Sequence, residues 1–385
     1  MFLPFLSVFL VGRCIFDSHS HHPRVSRQRS VSGHVVWQEP RDWATRIEDD
    51  DHLKNHVWST NNGKPFAAVQ YLMNKVLSAV PGERVDVQFQ ALDGTDLECV
   101  PETLQRFYRG ELEVFDDLNQ IHDNRKRRTV SFRLDLAYRG TDFCGWQTQD
   151  QKQSQQPVPA VQDVVQNALS DRDVRVAGRT DAGVHAVGQV ARVRCDTGVT
   201  AKELEEQLQA AAAHTGSWTC RRVMPVSHSF HPTFGATSRT YIYLIDAGPD
   251  LERNYGCIKD LTSRLNALLA PLEGQVLPYL ALSYGRLKTK TSNCTLHHVR
   301  ARLLQMDNER VLALELIGDR FLRRMVRILV ATAFRLALAS DKNFDDQALW
   351  KIVKSRDRRQ AALPAPPEGL IFVTASFYQQ SYATT

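Results

Sequence analysis

Gly178-Arg179-Thr180-Asp181-Ala182-Gly183-Val184-His185-Ala186 places a carboxylate, a guanidinium and an imidazole in one nonapeptide with two glycines. Glycines around a short charged cluster predict a tight loop that brings backbone close to a ligand. An Asp beside Arg and Thr in such a loop reads as a site rather than as a packing element. The flanks agree. Val174 and Val176 on one side, and Val187, Val190 and Val193 on the other, read as two buried strands around the loop.

Working outward, Val130, Phe132, Leu134, Leu136 and Tyr138 alternate with Ser131, Arg133, Asp135 and Ala137, which predicts a half-buried strand. Pro159 opens a helix with Val161, Val164, Val165, Ala168 and Leu169 on one face. Residues 201–213 and 261–269 read as helices, and 239–245 as a strand. Val299–Leu304 and Val311–Ile317 form a hairpin across a polar turn at Asp307-Asn308. Phe321–Leu338 reads as one long apolar helix, Asn343–Val353 as a shorter one, and Leu370–Phe377 as a last strand. Mostly antiparallel strands with helices gathered to one side define an α+β class.

Three zones precede and follow this pattern. Residues 1–38 form an Arg- and Ser-rich leader in which Asp17 is the one acidic residue. This composition predicts an organellar transit peptide, a mitochondrial one included, with a secretory signal or a disordered tail as the alternatives; without import the chain is cytoplasmic or nuclear. The apolar stretch Phe2–Val11 is about half the length of a membrane span. Residues 39–128 form an extension with a helical stretch at Phe66–Leu77 and a strand-like alternation at Arg84–Gln90. It ends in the run Arg125-Lys126-Arg127-Arg128, which reads as a solvated linker or as a contact to a phosphate backbone. The regular domain spans 129–378, with a tail at 379–385.

The net charge of +5 is compatible with a nucleic-acid partner and equally with an ordinary basic enzyme. The seven cysteines are an odd number without a CxxC pair, which argues for reduced thiols and against a disulfide framework or a zinc site. The expectation is no metal, no cofactor and no membrane.

The nonapeptide resembles the catalytic signature of the TruA family of tRNA pseudouridine synthases. Further segments match that family in order: Tyr138-Arg-Gly-Thr-Asp-Phe-Cys-Gly-Trp-Gln-Thr-Gln149, Val161-Gln162, Phe230-His231 with Phe234-Gly-Ala-Thr-Ser-Arg-Thr-Tyr-Ile-Tyr243, Gly318-Asp-Arg-Phe-Leu-Arg-Arg-Met-Val-Arg327, and Pro364-Ala-Pro-Pro-Glu-Gly-Leu370. A lone GRTD is a weak signal; the ordered set is a strong one. The resemblance implies a pseudouridine synthase fold, with subdomains of about 129–235 and 236–378 around a central catalytic cleft. It implies that Asp181 is the catalytic carboxylate, that Arg327 is its basic partner, and that Tyr241 stacks on the target uracil. It implies that Arg179 fills the space of the extruded nucleotide. His185 reads as an RNA contact or as a loop-supporting hydrogen bond. Arg133, Arg139, Arg239, Arg323 and Arg324 add a candidate RNA-binding surface, whereas Tyr243 and Trp146 read as core.

The implied substrate is RNA, foremost the tRNA anticodon stem-loop, bound by a homo- or heterodimer. Departures from the family pattern occur at Thr233, at 210–218, at 274–285 and at His297. Two alternatives therefore stay open: a synthase acting on organellar rRNA, and a catalytically weak RNA-binding scaffold in ribosome assembly, with assembly partners docking on 39–128.

Overall fold

A computed structural model describes residues 57–58, 66–112, 129–147, 158–285, 287, 291–338 and 341–377. The leader, the basic run 125–128 and the tail lie outside these residues. Within them the strands are β1 (Phe89–Ala91), β2 (Thr129–Tyr138), β3 (Val174–Val176), β4 (His185–Asp196), β5 (Trp218–Val226), β6 (Ser238–Asp246), β7 (Val276–Pro278), β8 (Asn293–Met306), β9 (Glu309–Gly318) and β10 (Leu370–Ser376). The helices are α1 (Ala67–Ser78), α2 (Glu102–Tyr108), α3 (Val161–Ala168), α4 (Ala201–Ala213), α5 (Pro249–Tyr255), α6 (Ile258–Leu269), α7 (Met325–Ala337) and α8 (Ala348–Ser355).

One sheet runs in the order β1-β8-β9-β6-β10-β4-β2-β5, with β3 beside β4 and β7 beside β8. All pairings of these strands are antiparallel except β10 with β4, where Ile371 faces His185 and Phe372 faces Ala186. The last strand therefore joins the half built from β2, β4 and β5 to the half built from β6, β9 and β8. This is the expected α+β architecture. The alternating strands form because one row of apolar side chains meets the helices, and Leu134, Leu136 and Tyr138 are wholly buried there. α7 is buried on nearly all sides, as its almost purely apolar sequence requires.

The helices of 129–377 lie on the face of the sheet that carries Tyr241 and Tyr138. α2 of the extension meets the opposite face, whereas Trp58 and Phe66 of the extension reach the ring of Tyr243, which shares the Tyr241 face, at 6.0 and 6.1 Å. Asp246, at the end of β6, accepts hydrogen bonds from Ala67 N (2.9 Å) and Ala68 N (3.2 Å) and so caps α1. The capping residue Phe66 supplies no side-chain bond of its own. Thr240 donates to Thr103 of α2 at 3.2 Å. β1 adds an edge strand to β8, with Phe89 opposite Met306. The described part of the extension is thus part of the same compact unit as the sheet.

That covering explains a difference from the sequence reading. β2 is buried on both faces: Arg133 and Ala137 are inaccessible and Asp135 nearly so. Arg133 answers its burial by donating from Nε to Asp135 Oδ1 at 2.6 Å and by stacking over Phe377. It is a structural residue and leaves the candidate RNA surface.

Two further readings are corrected. The long helix begins at Met325 rather than at Phe321, because Arg324 takes a left-handed conformation (φ 58°). Of Arg84–Gln90, only Phe89–Gln90 enters a strand, as part of β1, where β8 offers an edge.

Candidate active site

The 178–186 loop hangs from the start of β4 and is pinned on both flanks. Gln189, on β4, donates to Gly178 O (2.7 Å) and to the Tyr138 hydroxyl (3.1 Å). That hydroxyl shares a 2.8 Å hydrogen bond with Thr180 Oγ1. Burial pushes the Tyr138 phenol up to about 12, so it remains a donor. Trp146 N donates to Thr180 O at 3.0 Å, and Gly183 N to Gly140 O at 3.2 Å. Gly183 has φ of 81°, and a Cβ there would come within 2.7 Å of Pro367 Cγ. Glycine is the residue that fits both conditions.

Arg327 brings the second charge. One turn into α7, it donates from Nε to Ala365 O (2.6 Å) and from Nη1 to Asp181 Oδ2 (3.3 Å). The Arg324 Nε lies 4.0 Å from the same oxygen, and its guanidinium lies 4.0 Å above the Tyr284 ring. The left-handed turn at Arg324, which costs about 1–2 kcal/mol, starts the helix late and leaves both arginines beside one carboxylate. Burial pulls the Arg327 guanidinium below its ordinary value, and Asp181 pulls it back up. The Asp181 side chain keeps 28% of its surface exposed, against 12% for Arg327.

Tyr241 lies in the floor below. A Cβ at Gly178 would sit 3.7 Å from its hydroxyl. Its ring meets Phe321 and Phe372 edge-on at 5.0 and 5.1 Å. Burial raises its phenol well above the usual range, and Asp181 adds to the effect. Asp181, Arg327 and Tyr241 thus meet, although they come from a loop, a helix and a strand far apart in the chain. A carboxylate held by arginine, over a quarter open to solvent near an aromatic floor, can stabilise or trap a developing cation.

The arginine and histidine assignments separate. Arg179 and Arg323 are exposed, and Arg324 is half-buried beside Asp181. His185 is wholly buried and accepts a hydrogen bond from Gly140 N at 3.2 Å. It supports the loop and has no surface with which to touch RNA; burial lowers it to about 4, so the ring is neutral. Arg239 is also reassigned. Its guanidinium donates to the carbonyls of Ala236, Asp319, Ala177 and Thr233 and ties the loop to the sheet. Arg139 reaches Asp142 and Asn74, the latter in the extension. Trp146 and Tyr243 are core, as expected. Sequence reasoning missed Tyr284, Phe372 and Gln189 as parts of the site, which owe their place to tertiary packing and carry no local signal; Phe321 lay inside the Gly318–Arg327 motif but was given no role.

Among the described residues there is no cluster of three or more His, Cys, Asp or Glu able to hold a metal ion, and no helix long and apolar enough to cross a membrane.

The comparisons place this fold in an RNA-modifying class. Residues 283–378 match the family described as tRNA pseudouridine synthase. The chain is 34% identical over 252 residues to tRNA pseudouridine synthase A of Porphyromonas gingivalis, covering 62% of this chain and 94% of that protein. It is 29% identical over 257 residues to the protein of that name in Bacillus sp. (strain KSM-64), with 64% and 99% covered. It is 32% identical over 265 residues to the one in Chloroflexus aurantiacus, with 65% and 89% covered. The chain belongs to the tRNA pseudouridine synthase A family, a family of isomerases, and has its mixed α+β fold.

Proposed function

We propose that this protein isomerises uridine to pseudouridine in the anticodon stem-loop of tRNA, with Asp181 as the catalytic carboxylate. The reaction breaks the N1–C1′ bond, turns the base and joins C5 to C1′; the C5 proton leaves and N1 gains one. Cleavage builds positive charge on the sugar, which Asp181 stabilises or captures. Arg327 fixes the carboxylate through the 3.3 Å contact. Tyr241 gives the uracil a flat surface against which to lie. Arg179, exposed at the head of the loop, fills the space of the flipped-out nucleotide. Arg323 and Arg324 face the backbone phosphates.

The observation that carries this reading is the convergence of Arg327 on Asp181 across 146 residues, beside the buried Tyr241. A dimer with the RNA between its subunits, and an organellar tRNA pool addressed by the leader, belong to the same proposal. The test is to map pseudouridine in total and organellar RNA from cells with the protein, without it, and with Asp181→Asn. Loss of the same tRNA sites in the last two supports the proposal. Loss confined to rRNA transfers the activity to that substrate, and unchanged modification with Asp181→Asn leaves only a binding scaffold.

A further inference from the structure

Among the described residues, Phe234 is the most exposed large apolar side chain, at 85%. A single exposed apolar residue on a mobile loop needs no explanation. Phe234 differs because its turn is rigid. Gly235 N donates to His231 O at 2.8 Å and closes the turn, and Phe234 N donates to His231 Nδ1 at 3.2 Å. That bond sets the imidazole beside the phenyl ring, with centroids 4.5 Å apart and planes inclined by 35°. The Thr233 hydroxyl donates to Val176 O at 2.6 Å, and Arg239 holds Thr233 O and Ala177 O together. The turn is therefore fixed to the residues directly before Gly178 and Arg179.

Its surroundings are cationic. Arg192 donates to Phe230 O at 2.7 Å, and Arg194 to His228 O at 3.4 Å. Arg175 lies on neighbouring β3, paired with Asp173 at 2.9 Å. Burial lowers the His231 imidazole, and the charges of Arg192, Arg175 and Arg194 lower it further, so all three fields reach the ring. A neutral imidazole stacked under a fixed phenyl among arginines has the chemistry of a base-stacking platform with phosphate contacts around it. Arginines around a phenyl complement the phosphates that flank a nucleobase, so the charge of this surface favours RNA as the occupant.

We propose that Phe234, backed by His231, stacks on an unpaired nucleobase of the substrate RNA beside the target nucleotide, with Arg175 and Arg194 facing the adjoining phosphates. This rests on the reading of the protein as an RNA-acting synthase and extends its site beyond the catalytic loop. The thermodynamic role is binding, so the effect falls on KM rather than on kcat.

The test uses the full chain and a tRNA transcript, with Phe234→Ala and Phe234→Trp compared to wild type. Phe234→Ala should raise the RNA Kd and KM about tenfold, leaving kcat at saturating RNA and the melting temperature unchanged. Phe234→Trp should restore affinity, and its added indole emission should be quenched when RNA binds. Wild-type affinity in Phe234→Ala would overturn the proposal. So would a concentration-dependent dimer that Phe234→Ala dissolves with RNA affinity intact, which would make the ring a protein contact. Failure of the synthase reading looks different: wild type forms no pseudouridine, yet Phe234→Ala still loses RNA affinity, and the stacking contact stands.

Discussion

Asp181 and Glu315 are both carboxylates facing arginine, on opposite faces of one sheet, and they are satisfied to different degrees. Glu315 is wholly buried. Its Oε2 lies 2.7 Å from His298 Nε2, and its Oε1 accepts from Arg302 Nε (2.7 Å) and from the Tyr108 hydroxyl (2.6 Å). Burial alone would raise this carboxyl, but the His298 hydrogen bond and charge lead a set of partners that bring it below its ordinary value. Both oxygens are taken. Asp181 engages Arg327 and Arg324 through one oxygen, at 3.3 and 4.0 Å, and stays over a quarter exposed. A carboxylate with all its bonds made holds a structure together; one with bonds to spare, held in place by its neighbours, is available to a reactant.

The sharpest way to break this comparison is Asp181→Asn. It should cut pseudouridine formation by about a thousandfold or more, while circular dichroism and melting stay as in wild type. A melting loss comparable to the activity loss would make Asp181 structural. Glu315→Ala should do the reverse. It strands His298, Arg302 and Tyr108 in the interior and should cost about 3–5 kcal/mol in denaturant unfolding, with activity per folded molecule retained at low temperature.

Acid titration separates the two kinds of group again. His185 sits at about 4 when folded against an ordinary 6.5. Below pH 6.5 the unfolded chain binds a proton that the folded chain refuses, so stability is complete above 6.5 and falls as the pH drops towards 4. The loss reaches about 3 kcal/mol. Glu315 is depressed, so its contribution is present above 4.5 and is lost only as the pH falls further, through its folded value. Urea midpoints measured from pH 7 to 4 should therefore decline before Glu315 titrates, and His185→Gln should flatten that decline.

Arg327→Lys keeps a cation but loses the two-point hold on Ala365 O and Asp181. Activity should fall about 10- to 100-fold, read as a drop in kcat at saturating tRNA. Tyr108→Phe removes one of three bonds to Glu315 and should cost about 1–2 kcal/mol. Because Tyr108 belongs to the extension, this smallest effect also measures how firmly that segment is tied to the sheet.

Much of this was legible in the sequence, and the rest was hidden for identifiable reasons. The alternation of Val130–Tyr138 and the hairpin across Asp307-Asn308 marked strands that the structure contains as β2, β8 and β9. β5 was missed because Arg221 and Pro225 break its pattern. At the sheet edge Pro225 needs no outward donor, and Arg221 reaches across to carbonyls of Val76 and Glu83. The start of α7 was misplaced because the apolar spacing of Phe321–Met325 carries no trace of the left-handed Arg324. The motif order placed Asp181, Tyr241 and Arg327 on the page, and the structure sets Arg327 against Asp181, with Tyr241 below the same loop. The buried places of His185 and Arg133, and the half-buried one of Arg239, follow from which face each strand turns inward and from what covers that face. The extension's helix was visible, but its capping by Asp246, 179 residues away, was not.

The placement of β10 also sets a timetable. Among the described strands, the last along the chain is the one that lies between β6 and β4, and the turn before it supplies Ala365 O to Arg327 and Pro367 to the Asp181 loop. A nascent chain can fold either half early, but it cannot align its carboxylate with its arginine until the final strand has left the ribosome and closed the seam.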